Sequence, residues 1–327
     1  MTMSIEHIEQ CGKRVLNGGM LSEKEALELI RASDPAEYKI LREISQAVFR
    51  KFCSADADIC SLVNAKSGSC GEDCRFCAQS SYYNVDVTEY PLMKPEEIAA
   101  RARQAERAGT QRFCIVTSGN ALSADDFKNV IKAFTLIRRQ TNLALDGSLG
   151  VLEDHQLRLL KQAGVTRLNH NLETSERFFP RICTTHSYKD RYNTVLKIKK
   201  HKIGVCSGGI IGLGESEEDR VSLAFALQRL DVDCVPLNIL NPRKGTPFQN
   251  NRKLSPQEII KTIAVFRLIL RHIPLKIAGG REVNLGDHQV DALRAGANGI
   301  IIGGYLTTRG NPVQDDLRLL RKAGLKV

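Results

Sequence analysis

The sequence predicts an α/β chain folded as a (β/α)8 TIM-type barrel with an N-terminal helical extension. Three observations carry this. Short apolar segments of period two alternate with amphipathic stretches of helical period along most of the chain. The alternation occupies about 270 residues, and a (β/α)8 barrel typically takes ~250. No Ser-, Gly- or Pro-rich linker divides the 327 residues, so the chain reads as one large domain.

The predicted strands are Ile59–Ala65, Arg112–Thr117, Leu143–Ser148, Thr166–Leu172, Ile203–Ile211, Asp233–Ile239, Leu275–Ala278 and Gly299–Ile302. Helical patterns fall between them at Pro95–Ala108, Ala124–Arg139, Glu153–Ala163, Tyr188–Lys200, Glu217–Leu230, Pro256–Arg271 and Asp287–Ala295. Ser123 and Ser255 stand where N-caps are favoured, and Pro256 occupies the first helical position, where its missing N–H costs nothing. Ser216 with Asp219 is a weaker form of the same signal. Residues 1–55 read as extra helices, for example Glu23–Ala32 and Ala36–Phe49, and residues 56–327 as the barrel.

Hydrophobic residues at 42% and charged residues at 26% exclude a disordered chain, and 25 glycines exclude a collagen-like one. No apolar run reaches membrane-spanning length, so no membrane partner is expected. The start Met1-Thr2-Met3-Ser4-Ile5-Glu6-His7 lacks the basic and apolar regions of a signal peptide, which points to the cytoplasm. Thiols stay reduced there, so the ten cysteines call for metal, catalysis or plain burial. A net charge of +10 raises the question of nucleic acid. The densest run, Lys197-Ile198-Lys199-Lys200-His201-Lys202, lies where a helix ends, and cations there complement the helix dipole. No aromatic-interleaved motif accompanies it, so no nucleic-acid partner is expected.

A barrel keeps its chemistry at the C-terminal ends of its strands. Asn169, Asn171 and Glu173 share one face by the period of two, as do Cys234, Pro236 and Asn238. Ordinary barrel interiors are branched and apolar, so these faces describe a barrel lined for a polar ligand. After the first strand comes Cys70-x3-Cys74-x2-Cys77 on a glycine-containing loop. Thiolates bind soft metals and iron–sulfur clusters. A structural zinc site wants four ligands, whereas three cysteines on a [4Fe–4S] cluster leave one iron open to an outside ligand.

This motif, with Phe76 before its last cysteine, resembles the radical S-adenosylmethionine (SAM) superfamily. Gly208-Gly209-Ile210-Ile211-Gly212-Leu213-Gly214-Glu215 resembles that superfamily's adenine-supporting segment. Asn64-Ala65-Lys66-Ser67-Gly68, Asn169-His170-Asn171-Leu172-Glu173-Thr174-Ser175, Val205-Cys206-Ser207-Gly208-Gly209, Val235-Pro236-Leu237-Asn238, Gly245-Thr246-Pro247 and Ala278-Gly279-Gly280-Arg281-Glu282 narrow the resemblance to the biotin synthases. It runs over residues 40–325.

The resemblance implies a sulfurtransferase that converts dethiobiotin to biotin with a [4Fe–4S] cluster, SAM and an auxiliary iron–sulfur cluster. Cys70, Cys74 and Cys77 would hold the first cluster. Phe76, Asn171, Glu173, Arg191 and Ile210 would contact SAM, Arg191 through its carboxylate and Glu173 through the ribose hydroxyls. Asn169 and Asn238 would hydrogen-bond the ureido ring of dethiobiotin. A flavodoxin- or ferredoxin-type electron donor and a homodimer follow from the same likeness. For the auxiliary cluster, Cys114, Cys206 and Arg281 match the family pattern, but Asp146 stands where a third cysteine is expected. Carboxylate is a harder ligand than thiolate. Cys183 is the expected replacement, with Cys234 as the other contender. A relocated ligand removes the basis for a [2Fe–2S] assignment and favours a four-iron cluster with an additional sulfide. Cys11, Cys53 and Cys60 read as ordinary small apolar residues. Competing readings are a related radical enzyme without sulfur insertion, an RNA-modifying protein and a non-enzymatic zinc or iron–sulfur protein.

Overall fold

The computed structural model describes residues 4–327, so the first three residues of the 1–55 extension lie outside it. Its parallel strands are β1 Asp58–Lys66, β2 Arg112–Thr117, β3 Ala144–Ser148, β4 Val165–Asn169, β5 Gly204–Cys206, β6 Gly209–Ile211, β7 Val235–Ile239, β8 Leu275–Ile277 and β9 Gly299–Ile302. They pair in the order β5-β4-β3-β2-β1-β9-β8-β7-β6. The two edges of this sheet are consecutive in sequence. β5 and β6 are halves of one stave, and the bridges Cys206↔Cys234 and Glu173↔Gly209 tie them to their neighbours. The sheet thereby closes into the barrel, with helices outside.

The predicted single strand Ile203–Ile211 is therefore broken at Ser207-Gly208. A Cβ on Gly208 would fall 1.9 Å from the Pro236 carbonyl oxygen, so the backbones of this stave and β7 touch there. Pro236 has no N–H to continue the ladder. The Gly208 N–H donates to the Asn171 side chain instead, at 3.2 Å.

Strand alternation then sorts the side chains. Ile59, Phe113, Ile115, Leu145, Leu168, Val205, Leu237 and Ile300 point outward into one apolar layer under the helices. The other parity points inward and is largely polar or sulfur-bearing. The capping residues act as expected. Ser123 Oγ accepts from Asp126 N at 3.1 Å and Ser255 Oγ from Glu258 N at 3.2 Å. Ser216 and Asp219 complete a reciprocal capping box, stronger than the sequence implied.

The extension forms three helices, Ile5–Leu16, Glu23–Ile30 and Pro35–Phe52. Ile8, Leu29, Leu41 and Val48 join the same apolar layer as the barrel helices. Helix Pro256–Leu270 lies beneath them and is buried almost all round, which explains its continuous apolar run. Helices Arg281–Leu285 and Val313–Ala323 were not expected, and the expected Asp287–Ala295 is a 3-10 turn followed by Gln289–Arg294. Among the described residues no helix is long and apolar enough to cross a membrane.

Glu25 links the first two helices. The Arg14 guanidinium beside it, with the Ser22 N–H and hydroxyl donating, pushes its carboxyl down from 4.5 to about 2. A depressed carboxyl stabilises the fold above its unfolded value and loses that contribution as pH falls through the folded one. Acid titration followed by circular dichroism should therefore show the wild type losing an advantage between pH 4.5 and about 2 that Glu25→Gln lacks throughout.

Candidate functional site

β1 slips register between Asn64 and Lys66, and the chain leaves the sheet there into the cysteine loop. Gln79 fastens that loop. Its Oε1 accepts from Gly68 N and Asn64 Nδ2, both at 3.2 Å, and its backbone oxygen accepts from Cys70 N at 3.1 Å. Cys77 N donates to Cys74 O at 2.9 Å, closing the turn. Cys74 is buried, while Cys70 and Cys77 are half-buried.

All three cysteines line a cavity of about 730 Å³ at the C-terminal ends of the strands. Phe76, Asn169, Asn171, Glu173, Arg191, Ile210 and Asn238 line it too, so ten residues foreseen from scattered segments meet there. β4 ends at Asn169, so Asn171 and Glu173 lie beyond the strand on which they were expected. Glu173 adopts φ +68, a left-handed conformation uncommon for this residue type. It is held by Glu173 N donating to Gly208 O at 3.1 Å and by Ile210 N donating to Glu173 O at 2.8 Å. Burial raises the Glu173 carboxyl, which Arg191 at 3.7 Å and an Asn171 amide bond at 3.4 Å partly oppose. Arg191 Nη1 also donates to Asn171 O at 3.0 Å. Asn238 Oδ1 accepts from Gly279 N at 3.0 Å. The Asn169 Oδ1 is buried without a partner, an acceptor left open toward a ligand.

Beneath the cavity the inward parity forms a second level. β1 contributes Asp58 and Cys60, β2 Arg112 and Cys114, β3 Asp146, β4 Arg167, β5 Cys206, and β8 Lys276, with Cys234 just before β7. Cys60 and Cys114 pack together, and Cys206 and Cys234 stand opposite one another across a parallel bridge. Burial pushes the Cys60 thiol up to about 11. Around the thiols, Asp58 pairs with Lys276 at 2.9 Å and Arg167 at 3.3 Å. Asp146 pairs with Arg112 at 2.8 Å and Arg167 at 2.9 Å. The three cations Arg112, Arg167 and Lys276 face only the two carboxylates Asp58 and Asp146. The surplus positive charge suits an anionic, sulfide-rich centre on the thiols.

Two expected members of that level lie elsewhere. Cys183 Sγ is 3.8 Å from Cys74 Sγ, beside the upper cysteine loop, because Asp73 accepts from Thr184 N at 2.8 Å and from Thr185 N at 3.2 Å and draws the segment there. Arg281 opens a short helix past the end of β8, and its fork grips Asp316 at 2.7 Å and Glu282 at 3.1 Å. It ties the last helix to the barrel, while Lys276, on the inward parity of β8, reaches the interior. Cys60 was read as filler, yet it faces Cys114. The signal for Cys60, Arg167 and Lys276 was their strand parity, with charge or sulfur on an inward face.

The donor sets fit the implied groups. Three thiols on one loop leave a cluster iron open, and the unpartnered Asn169 oxygen and buried Glu173 suit a polar organic ligand beside it. The thiol level below suits a second sulfide-bearing centre.

The comparisons agree with this geometry. Residues 66–227 match the Radical SAM superfamily, and residues 236–326 match the Biotin and Thiamin Synthesis associated domain. Biotin synthase from Acetivibrio thermocellus is 43% identical over 310 residues, covering 95% of this chain and 96% of its own. That from Carboxydothermus hydrogenoformans is 44% identical over 317 residues, with 96% and 97% covered. The Thermotoga petrophila biotin synthase is 51% identical over 264 residues, with 80% and 88% covered. In fold, methylornithine synthase superposes with a TM-score of 0.82 at 19% identity, covering 97% of this chain and 96% of that one. Near-complete coverage at such identity leaves a single conclusion: the chain belongs to the biotin synthase family of radical SAM enzymes.

Proposed function

We propose that the two levels of the barrel divide the sulfur-insertion reaction between them. Cys70, Cys74 and Cys77 hold the [4Fe–4S] cluster above. When bound and reduced, that cluster and SAM supply a 5′-deoxyadenosyl radical, and the auxiliary cluster supplies the sulfide that enters dethiobiotin. Arg191 offers its forked donors to the SAM carboxylate. Glu173 accepts from the ribose hydroxyls, and Phe76 and Ile210 flank the adenine side of the cavity. Asn169 and Asn238 present donor and acceptor groups to the cyclic urea of dethiobiotin.

Below, Cys60, Cys114, Cys206 and Cys234 form the auxiliary ligand set, replacing Cys183 and Arg281 in that role. Four thiols and a surplus cation favour a four-iron centre with an additional sulfide. Asp146 serves as counter-ion, engaged by both Arg112 and Arg167. The barrel walls keep water from the reacting carbons. Residues 4–55, the described part of the 1–55 extension, buttress the barrel of residues 56–327. A flavodoxin- or ferredoxin-type donor supplies the electron, and the reading of a cytoplasmic homodimer rests on family membership.

The observation that carries this reading is the stacking of one open cavity, lined by the cysteine loop, over a buried thiol level. Anaerobic reconstitution followed by iron and sulfide counting tests it, with SAM, reductant and dethiobiotin then added. Both 5′-deoxyadenosine and biotin should form, and iron should exceed what one cluster holds. Nucleoside without biotin would remove sulfur insertion, and no nucleoside would remove the radical chemistry.

Glu173→Gly isolates the cofactor wall, because glycine tolerates the positive φ. The fold should persist while SAM binding weakens about 10- to 150-fold, as expected for losing charge-assisted hydrogen bonds of about 1.5–3 kcal/mol. Equilibrium dialysis with SAM reads the change.

A further inference from the structure

Cys183 has no part in that scheme, yet its surroundings have the spacing of a metal site. Its Sγ lies 3.8 Å from Cys74 Sγ and 3.3 Å from His186 Nδ1. The three ligand atoms of Cys74, Cys183 and His186 all lie within 4.8 Å of one another. In a tetrahedral centre with metal–sulfur bonds of about 2.3 Å and metal–nitrogen bonds of about 2.05 Å, two sulfurs stand ~3.8 Å apart and sulfur and nitrogen ~3.6 Å apart. Thiolates on different irons of one cluster stand farther apart, because sulfides intervene. The observed spacing is therefore that of two thiolates and an imidazole on one ion.

Cys183 is buried, and the His186 side chain is only 11% exposed, with the Phe179 ring edge-on to it at 5.6 Å. Asp73 is occupied by the Thr184 and Thr185 backbone donors and the Thr184 hydroxyl. Glu72 Oε2 contacts His186 Nδ1 and also accepts from the Thr185 hydroxyl, so the ligand atoms grouped here are the three of Cys74, Cys183 and His186. Arg191 Nε donates to His186 Nε2 at 3.0 Å, so the ring proton rests on Nδ1.

We propose that the cluster-free chain binds one borderline-soft divalent cation, ferrous iron or zinc, through Cys74, Cys183 and His186, with solvent in the fourth position. This rests on the reading of Cys74 as a cluster ligand. Binding is not a redox step: two thiols become thiolates, two protons leave, and the His186 ring proton moves to Nε2. Arg191 then turns from the ring toward Glu173. Because Cys74 serves both sites, the ion and the cluster exclude one another. The ion keeps Cys74 engaged until the cluster is built.

The test titrates cobalt(II) into the reduced, cluster-free full chain without oxygen. One equivalent that depends on Cys183 and His186 should bind with the intense visible spectrum of tetrahedral thiolate coordination, beyond any cobalt held by the lower thiols, and zinc should displace it. Cys183→Ser and His186→Ala should each weaken binding at least tenfold and lose that spectrum, while Cys70→Ser keeps both. An unchanged spectrum in both Cys183→Ser and His186→Ala overturns the site, as does equal loss in Cys70→Ser. A second arm loads zinc before cluster reconstitution. Zinc should retard cluster formation in the wild type and not in Cys183→Ser, and equal rates overturn the sharing of Cys74. Cobalt binding as described, with no SAM cleavage after wild-type reconstitution, upholds the ion site and overturns only the cluster reading. SAM cleavage without tetrahedral cobalt binding does the reverse.

Discussion

Cys114→Ala protein should still cleave SAM but make no biotin. Cys114 lies on β2 beneath the cavity, packed against Cys60 and in register with Leu62 of β1. Its removal takes a ligand from the lower level and leaves Cys70, Cys74, Cys77 and Arg191 in place. Iron per chain should fall toward the content of one cluster, and 5′-deoxyadenosine should form without coupled product. Cys77→Ala should lose both products, because the open-iron cluster has no fourth protein ligand to spare. Measuring biotin and 5′-deoxyadenosine from the same reaction separates the two levels. Wild-type biotin yield from Cys114→Ala would sink the assignment of the lower thiols.

Asp146→Asn should cost about 3–5 kcal/mol of stability, the range for removing one partner from a buried ion pair. Asp146 is 4% exposed and stitches β2 to β4 through Arg112 and Arg167. Asparagine preserves the volume, so the loss is electrostatic. Arg112, Arg167 and Lys276 would then face Asp58 alone. Urea denaturation of wild type and variant, with equal slopes, reads the difference. A shift below about 1 kcal/mol would mean that water or a relaxed arginine compensates the charge. The variant also asks whether this carboxylate is counter-ion or ligand, since a counter-ion can be lost without moving the auxiliary-cluster spectrum.

Local chemistry made much of this protein readable in its sequence. Period-two and helical patterns give each strand its two faces and each helix its apolar stripe. A three-thiol loop of this spacing limits the metals it can take. Both signals are short-range, and both survive in the structure as the barrel and the cavity-lining residues from Cys70 to Asn238. The break at Gly208 was not visible, because it arises from the Pro236 carbonyl on a neighbouring strand. The helix Val313–Ala323 was missed although its pattern is amphipathic.

The sequence alone determined which side chains face inward, and therefore that this barrel is lined with amide, carboxylate, cation and thiol. Height inside the barrel was decided only by tertiary structure. Parity assigns a face, whereas register between strands dozens of residues apart sets the level, as Cys114↔Asp146 and Asp146↔Arg167 do. That is why Cys60 and Lys276 meet the lower thiols and Arg281 does not. Cys183 makes the same point from a loop. Asp73, 110 residues earlier, accepts from its thiol at 3.1 Å and from the next two backbone N–H groups, so a long-range contact decides which cysteines it joins.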